Sequence, residues 1–292
     1  MSATPANRLD ALSTPITCTI LGLCLDDSLC SIFRAGCSLH QEINLPPRQR
    51  KLFLKLTLFT FNIALSLNSF LIIWAFFVTS TDCFPVNMAQ GLTFHSFMII
   101  FDAYILYKSN LILGKSRVFN FVACVCLLYR MSWVVADIFL TFIPVSWDPI
   151  EEACQFLQDP LTGLNYTVAD ILVDVVSTIA TVIAFWRQGG FTMDIYGLSF
   201  QLVKEAALRS VLCLGMDVFY CLVVFQWSGA AQNVACGLQN LIYLKVINLE
   251  LWWKEVRDNQ QVAATKLDSR QPCSNAMDSP HLGRDQVNRL LE

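Results

Sequence analysis

Arg130 and Asp137 stand seven residues apart inside 119–147, FNFVACVCLLYRMSWVVADIFLTFIPVSW, a run apolar enough to cross a bilayer. Ionisable groups within such runs are costly, and they face a bundle interior, a partner or a water-filled cavity. His95, Asp102, Asp174, Asp217 and Lys245 also lie within apolar runs, and Asp170 falls at the outer edge of one. Seven residues make about two helical turns, so Arg130 and Asp137 share a face about 10 Å apart along the axis. Helical side chains lean towards the N-terminus, which tilts Arg130 away from Asp137. Each therefore needs a partner from another helix. Matching depths at 1.5 Å per residue offers Asp217 or Asp102 to Arg130 and Lys245, and Asp174 and His95 to Asp137. Asp170 and Asp174 are one turn apart on one face, where a shared water-filled vestibule is expected.

The charges do not balance. Four deep carboxylates (Asp102, Asp137, Asp174, Asp217) face two deep cations, Arg130 and Lys245. With all of them buried, a carboxylate must hold a proton or bind a cation, because unpaired charge in hydrocarbon is expensive. That arrangement serves a ligand-operated receptor with a polar core, or an ion- or proton-coupled carrier. Static bridges that only lock helices are the alternative.

Other chemistry has little support. The sequence has no CxxC pair, no HExxH and no phosphate-binding GxxxxGK[ST]. Its three histidines, His40, His95 and His281, are far apart, so no metal site is expected. No spacing of nucleophile and base stands out, so no enzyme and no catalytic residue are assigned. Lys245, in the last apolar run, is similar to the retinal lysine of rhodopsins. Leu241 stands where the companion aspartate would be, so no cofactor is assigned.

The elements that must position these groups follow from composition. The 292 residues are 55% hydrophobic and 15% charged, with a mean hydropathy of +0.50. Soluble domains run about 45–50% apolar and about 25% charged. A net charge of −3 argues against nucleic-acid binding. A helix crosses the bilayer core with about 20 mostly apolar residues. Strong spans are expected at 52–79, 86–107, 119–147, 168–186, 206–227 and 232–253. A weaker one, 11–33, is interrupted by Asp26-Asp27, each costing about 2.5–3.5 kcal/mol at mid-span. It either crosses or lies as a buried or interfacial helix. Asn62 and Asn68 sit on different faces of one span, as groups that bond to neighbouring helices. Most tryptophans mark span ends as interfacial anchors.

Lys and Arg in short loops mark the cytoplasmic side. Segments 34–51 and 108–118 are basic, while 80–85 and 148–167 have no Lys or Arg. Arg187, Lys204 and Arg209 flank the next link, and Lys254 and Arg257 follow the last span. The C-terminus is therefore expected in the cytoplasm, and the N-terminus outside if 11–33 crosses. The only glycosylation sequon, Asn165-Tyr166-Thr167, falls in the acidic outer loop. Cys83 and Cys154 face the same side, where they form a disulfide or remain two thiols. Such a bridge resembles the loop-to-third-helix disulfide of G-protein-coupled receptors. The likeness ends there: FDAY at 101–104 lacks the arginine of their DRY motif, and the last span has no NPxxY.

The fold class expected is all-α, a polytopic transmembrane bundle of seven helices, or six if 11–33 does not span. An N-terminal segment 1–33 precedes the bundle 34–253, and a flexible cytoplasmic tail 254–292 follows. The expected role is receptor-like, with a small ligand or ion and a cytoplasmic signalling partner. A small ion- or proton-coupled transporter or channel is the alternative, and a non-transporting scaffold the third reading. The expected location is the plasma membrane or an endomembrane.

Overall fold

A computed structural model of the chain describes residues 5–44, 52–77, 81–143, 146–148, 153–155, 159–187, 208–220, 222 and 234–249. Seven helices stand among them: α1 (Pro5–Ile43), α2 (Leu52–Ala75), α3 (Cys83–Ile112), α4 (Arg117–Asp137), α5 (Pro160–Arg187), α6 (208–220) and α7 (Val234–Leu249). The first five contain stretches long and apolar enough to cross a membrane. Expectations for the link 188–205, the loop 228–231 and the tail 254–292 lie outside the described residues.

The distribution of polarity is that of a chain dissolved in lipid. Phe33, Phe77, Val118, Phe121 and Leu128 are exposed, while Asn62, Asn68, His95, Asp102, Arg130 and Asp217 are buried. Apolar exposure on this scale marks a membrane-facing surface. The chain is built as a multi-pass membrane protein.

Local chemistry sets the helix ends. α3 and α4 join through a tight turn in which Gly114 and Lys115 both have positive φ, 81° and 60°. The Lys115 N–H bonds the Asn110 carbonyl at 2.8 Å, tying off the end of α3. Ser116 then caps α4, accepting from the Phe119 N–H at 3.4 Å. α4 continues as a π-helical turn, Ile138–Phe142, and Pro144 follows in the sequence, so the helix stops short of Trp147.

Several boundaries differ from expectation: α2 ends at Ala75 instead of 79, and α3 runs Cys83–Ile112 instead of 86–107, taking in part of the basic segment 108–118. α5 starts at Pro160, eight residues before Val168. Asp159 caps it, its carboxylate accepting from the Thr162 N–H at 2.9 Å, and proline is suited to the first helical position. α1 runs to Ile43 and absorbs the first ten residues of the segment taken as polar loop. Part of the outer loop forms a two-stranded antiparallel ladder, β1 (Ser146–Asp148) with β2 (Ala153–Gln155), where no strand was expected. A ladder satisfies backbone groups that an open loop would leave to solvent.

α1 packs on α2, α2 on α3, and α5 on both α3 and α4. α7 is held by amides. Asn248 donates to Asn62 at 3.1 Å and Asn240 to Asn68 at 2.9 Å. Both asparagines of α2 thus grip one antiparallel neighbour. Gly237 of α7 lies close to α1, where a Cβ would touch Ile20 and Leu21. Ser28 of α1 and Ser66 of α2 share a hydrogen bond at 2.6 Å.

Candidate functional site

α5 supplies the backbone of the site. Thr162, Tyr166, Asp170, Asp174, Ser177 and Thr181 recur at steps of three or four residues, so they share one helix face. None is more than 6% exposed. From Thr162 to Thr181, at 1.5 Å per residue, the stripe is about 28 Å long. A bilayer core is about 30 Å thick, so this polar face runs nearly the full width of a span. Polar groups from α3, α4, α6 and α7 meet it in three layers.

The outer layer is built on Asp137 of α4. One carboxylate oxygen lies 2.8 Å from His95 Nε2 of α3. The other accepts from the hydroxyls of Thr141 at 2.7 Å and Thr162 at 2.5 Å. Thr141 also accepts from the Asp159 N–H at 3.2 Å, linking the layer to the cap of α5. Depth matching placed His95 with Asp137. It missed the two threonines, and Asp174 takes no part in this layer.

The central layer is built on Arg130, fully buried in α4. Its Nη1 lies 3.0 Å from Asp170 Oδ1, and its Nε lies 3.8 Å from Asp102 Oδ2. Nη1 donates to the Tyr166 carbonyl at 2.6 Å, and the guanidinium sits 5.1 Å from the centroid of the Tyr166 ring. The 3.0 Å approach to Asp170 is an ion pair without hydrogen-bond alignment. Among the described residues both Asp170 oxygens, Arg130 Nη2 and Asp102 Oδ2 have no hydrogen-bond partner. The expected pairing of Arg130 with Asp217 is not formed. The early start of α5 is the reason: Asp170 lies about 15 Å along the helix from Pro160 and not beside its first residue, which sets it among the groups that face Arg130. The signal was the Asp159-Pro160 pair, a capping residue followed by a helix-initiating proline.

The inner layer joins α3, α5, α6 and α7. Asp217 of α6 accepts from the Tyr243 hydroxyl at 3.1 Å and feels the charges of Asp170, Asp174 and Arg130. Asp174 lies near Arg209 and the Cys213 thiol. Arg209 donates to Ser177 at 2.7 Å, and Ser177 also meets Ser109 at 2.8 Å. A small cavity of about 50 Å³ opens beyond, lined in part by Lys108, Ser109, Thr181 and Arg209. It is large enough for a few waters. Asp170 and Asp174, where a water-filled vestibule was expected, are both buried.

Lys245 is not a core cation. It lies on the flank between α7 and α1 and pairs with Asp27 at 2.5 Å. Arg209, read from the sequence as a span-end residue, is half-buried at the start of α6 and reaches Ser177.

At the outer end Cys83, the first residue of α3, is disulfide-bonded. Its expected partner Cys154 lies in β2, and the paired strand β1 touches α3; the side chain of Cys154 is outside the described residues. Asn165 lies in the second turn of α5, its amide donating to the Leu161 carbonyl at 2.7 Å. No family model and no curated protein matches the chain.

Proposed function

We propose that this is a seven-span membrane protein that moves protons across the bilayer, alone or coupled to a solute, through the polar face of α5. The observation that carries this reading is the charge balance along that face. Asp102, Asp170, Asp174 and Asp217 are buried against two arginines, Arg130 and Arg209, with Arg209 only partly covered. Among the described residues two carboxylates therefore stand in excess along that face, and a buried unpaired carboxylate is held by a proton or a cation. The unbroken stripe of carboxylates and hydroxyls along this face suits a proton as the ion carried. A chain of ionisable and hydroxyl groups across a span is how membrane proteins relay protons. The protein acts as a carrier and not as an enzyme, in a plasma membrane or endomembrane, with its C-terminus in the cytoplasm.

The test is flux. Purified protein in liposomes carrying an internal pH dye should acidify or alkalinise the lumen when a pH gradient and a membrane potential are imposed. Asp174→Asn and Asp217→Asn should each cut that rate by about tenfold or more. No protein-dependent flux under any imposed proton, sodium or potassium gradient would sink the reading.

A receptor remains the second reading, favoured by the disulfide at Cys83 beside the β1–β2 ladder, which braces the outer end. It requires ligand-dependent coupling that is lost when the basic segments 108–118 and 187–205 are neutralised. If the charge substitutions alter only folding or protein level, the chain is a scaffold.

A further inference from the structure

α1 carries two seams of heptad spacing on opposite sides. The first is buried: Thr17, Leu21, Cys24, Ser28, Ser31 and Ala35. The second is exposed along its whole length: Thr19, Leu23, Asp26, Cys30, Phe33 and Cys37. Each advances by alternating steps of four and three residues, the period at which one helix packs along another. The two are offset by two residues, about 200° around the helix. One side of α1 is therefore occupied by the bundle, and the other has the same spacing and, among the described residues, nothing packed on it.

The open seam is unlike a lipid-facing surface. α4 shows what such a surface looks like: Phe121, Val125, Leu128, Val135 and Phe139 face outward, and the exposed charge on that stripe, Arg117, stands at the end of the helix and not in its middle. On α1, Asp26 is exposed near the middle of the apolar stretch Thr14–Ile43, and among the described residues it has no partner. Beside it the Asp27–Lys245 pair is itself open, with side chains 40% and 61% exposed. Gly22, just ahead, has nothing within 4 Å of where a Cβ would sit, which leaves room for a close helix crossing.

The charges choose the occupant. Two carboxylates and one ammonium give the patch a net charge of −1. A second copy of the chain would bring the same sign against it. A helix with one cationic side chain at that depth would neutralise it. We propose that the open seam of α1 binds a transmembrane helix of another protein, one carrying a lysine or arginine near its middle. The proposal rests on α1 crossing the bilayer and is independent of proton transport.

The full-length protein in lipid nanodiscs can be offered a synthetic Leu/Ala transmembrane helix with one central lysine, its association read by energy transfer. Replacing the probe's lysine by leucine, or Asp26 by asparagine (D26N), should weaken association about tenfold. A cysteine placed one turn from the probe's lysine should be trapped as a disulfide with Cys30 when copper phenanthroline and oxygen are added as the oxidant, and Cys30→Ser should abolish that product. Equal binding of the lysine and leucine probes, or no effect of D26N, would overturn the proposal. So would self-association of the chain that depends on Asp26, or an N-terminal tag found on the same side as the tail.

Discussion

Arg130 shows how a buried charge dictates its surroundings. A guanidinium with no exposed surface is tolerated only when opposite charge and acceptors surround it. Asp170, Asp102 and the Tyr166 carbonyl supply these from two neighbouring helices. Arg130→Met should therefore cost roughly 3–5 kcal/mol, because it strands two carboxylates. Arg130→Lys should cost less, keeping the charge and losing the planar fork. Asp217→Asn should behave oppositely. Asp217 belongs to the excess carboxylates, and an asparagine oxygen can still accept from Tyr243. Its melting temperature in detergent should equal or exceed that of the parent, while Arg130→Met melts well below it. A loss in Asp217→Asn as large as that in Arg130→Met would contradict the charge count. At this scale the sequence told that His95, Asp102, Arg130, Asp137, Asp174 and Asp217 are buried and that Arg130 and Asp137 do not pair, but it misplaced Lys245, which is exposed, and Asp170, which is buried. It offered Asp102 to Arg130, which the structure places 3.8 Å away, and missed Asp170, because that partner depends on where α5 begins.

Helix ends are chemical features, and their cost can be measured at the turn between α3 and α4. Gly114 has φ of 81° with nothing near its missing Cβ, so Gly114→Ala meets only backbone strain. Lys115 carries that strain already, with φ of 60°. Gly114→Ala should lower stability by about 1 kcal/mol, and Lys115→Gly should raise it by a similar amount. Thermal unfolding of the two variants should move in opposite directions. If both destabilise, the turn is not held in the left-handed region. The existence of α2 to α5 was legible from apolar runs of about 20 residues. Their limits were less so, and for a definite reason. Hydropathy registers where lipid begins, whereas a helix begins at its cap, and α5 is capped at Asp159 well before its apolar stretch. The reach of α1 to Ile43 was obscured in the same way. Buried Ser31, Ala35 and Glu42 continue its inner seam through residues that read as a polar loop. The amide grip of α2 on α7 was only half legible, since Asn62 and Asn68 announce hydrogen bonds without naming the helix that receives them.

The whole molecule depends on whether α1 crosses the membrane, because that decides between seven spans and six and between opposite and equal sides for the termini. Asp26 and Asp27 argue against crossing on sequence grounds, at about 2.5–3.5 kcal/mol each. The pairing of Asp27 with Lys245 offsets part of that cost, since each group neutralises the other in the same layer. The ion pair also joins α1 to α7, so the cost of Asp27 is offset only once α7 is present. A tag at the N-terminus should then be accessible from the side opposite a tag at the C-terminus when each is probed with protease in sealed vesicles. Lys245→Leu removes the offset and leaves both carboxylates unanswered. It should produce two populations, one with the N-terminus outside and one with it beside the tail. Restoring balance with Asp27→Leu in the same chain should return a single population. If Lys245→Leu leaves the N-terminus wholly outside, the apolar stretch of α1 is sufficient to insert by itself, and the ion pair serves the outward face of the bundle instead of its topology.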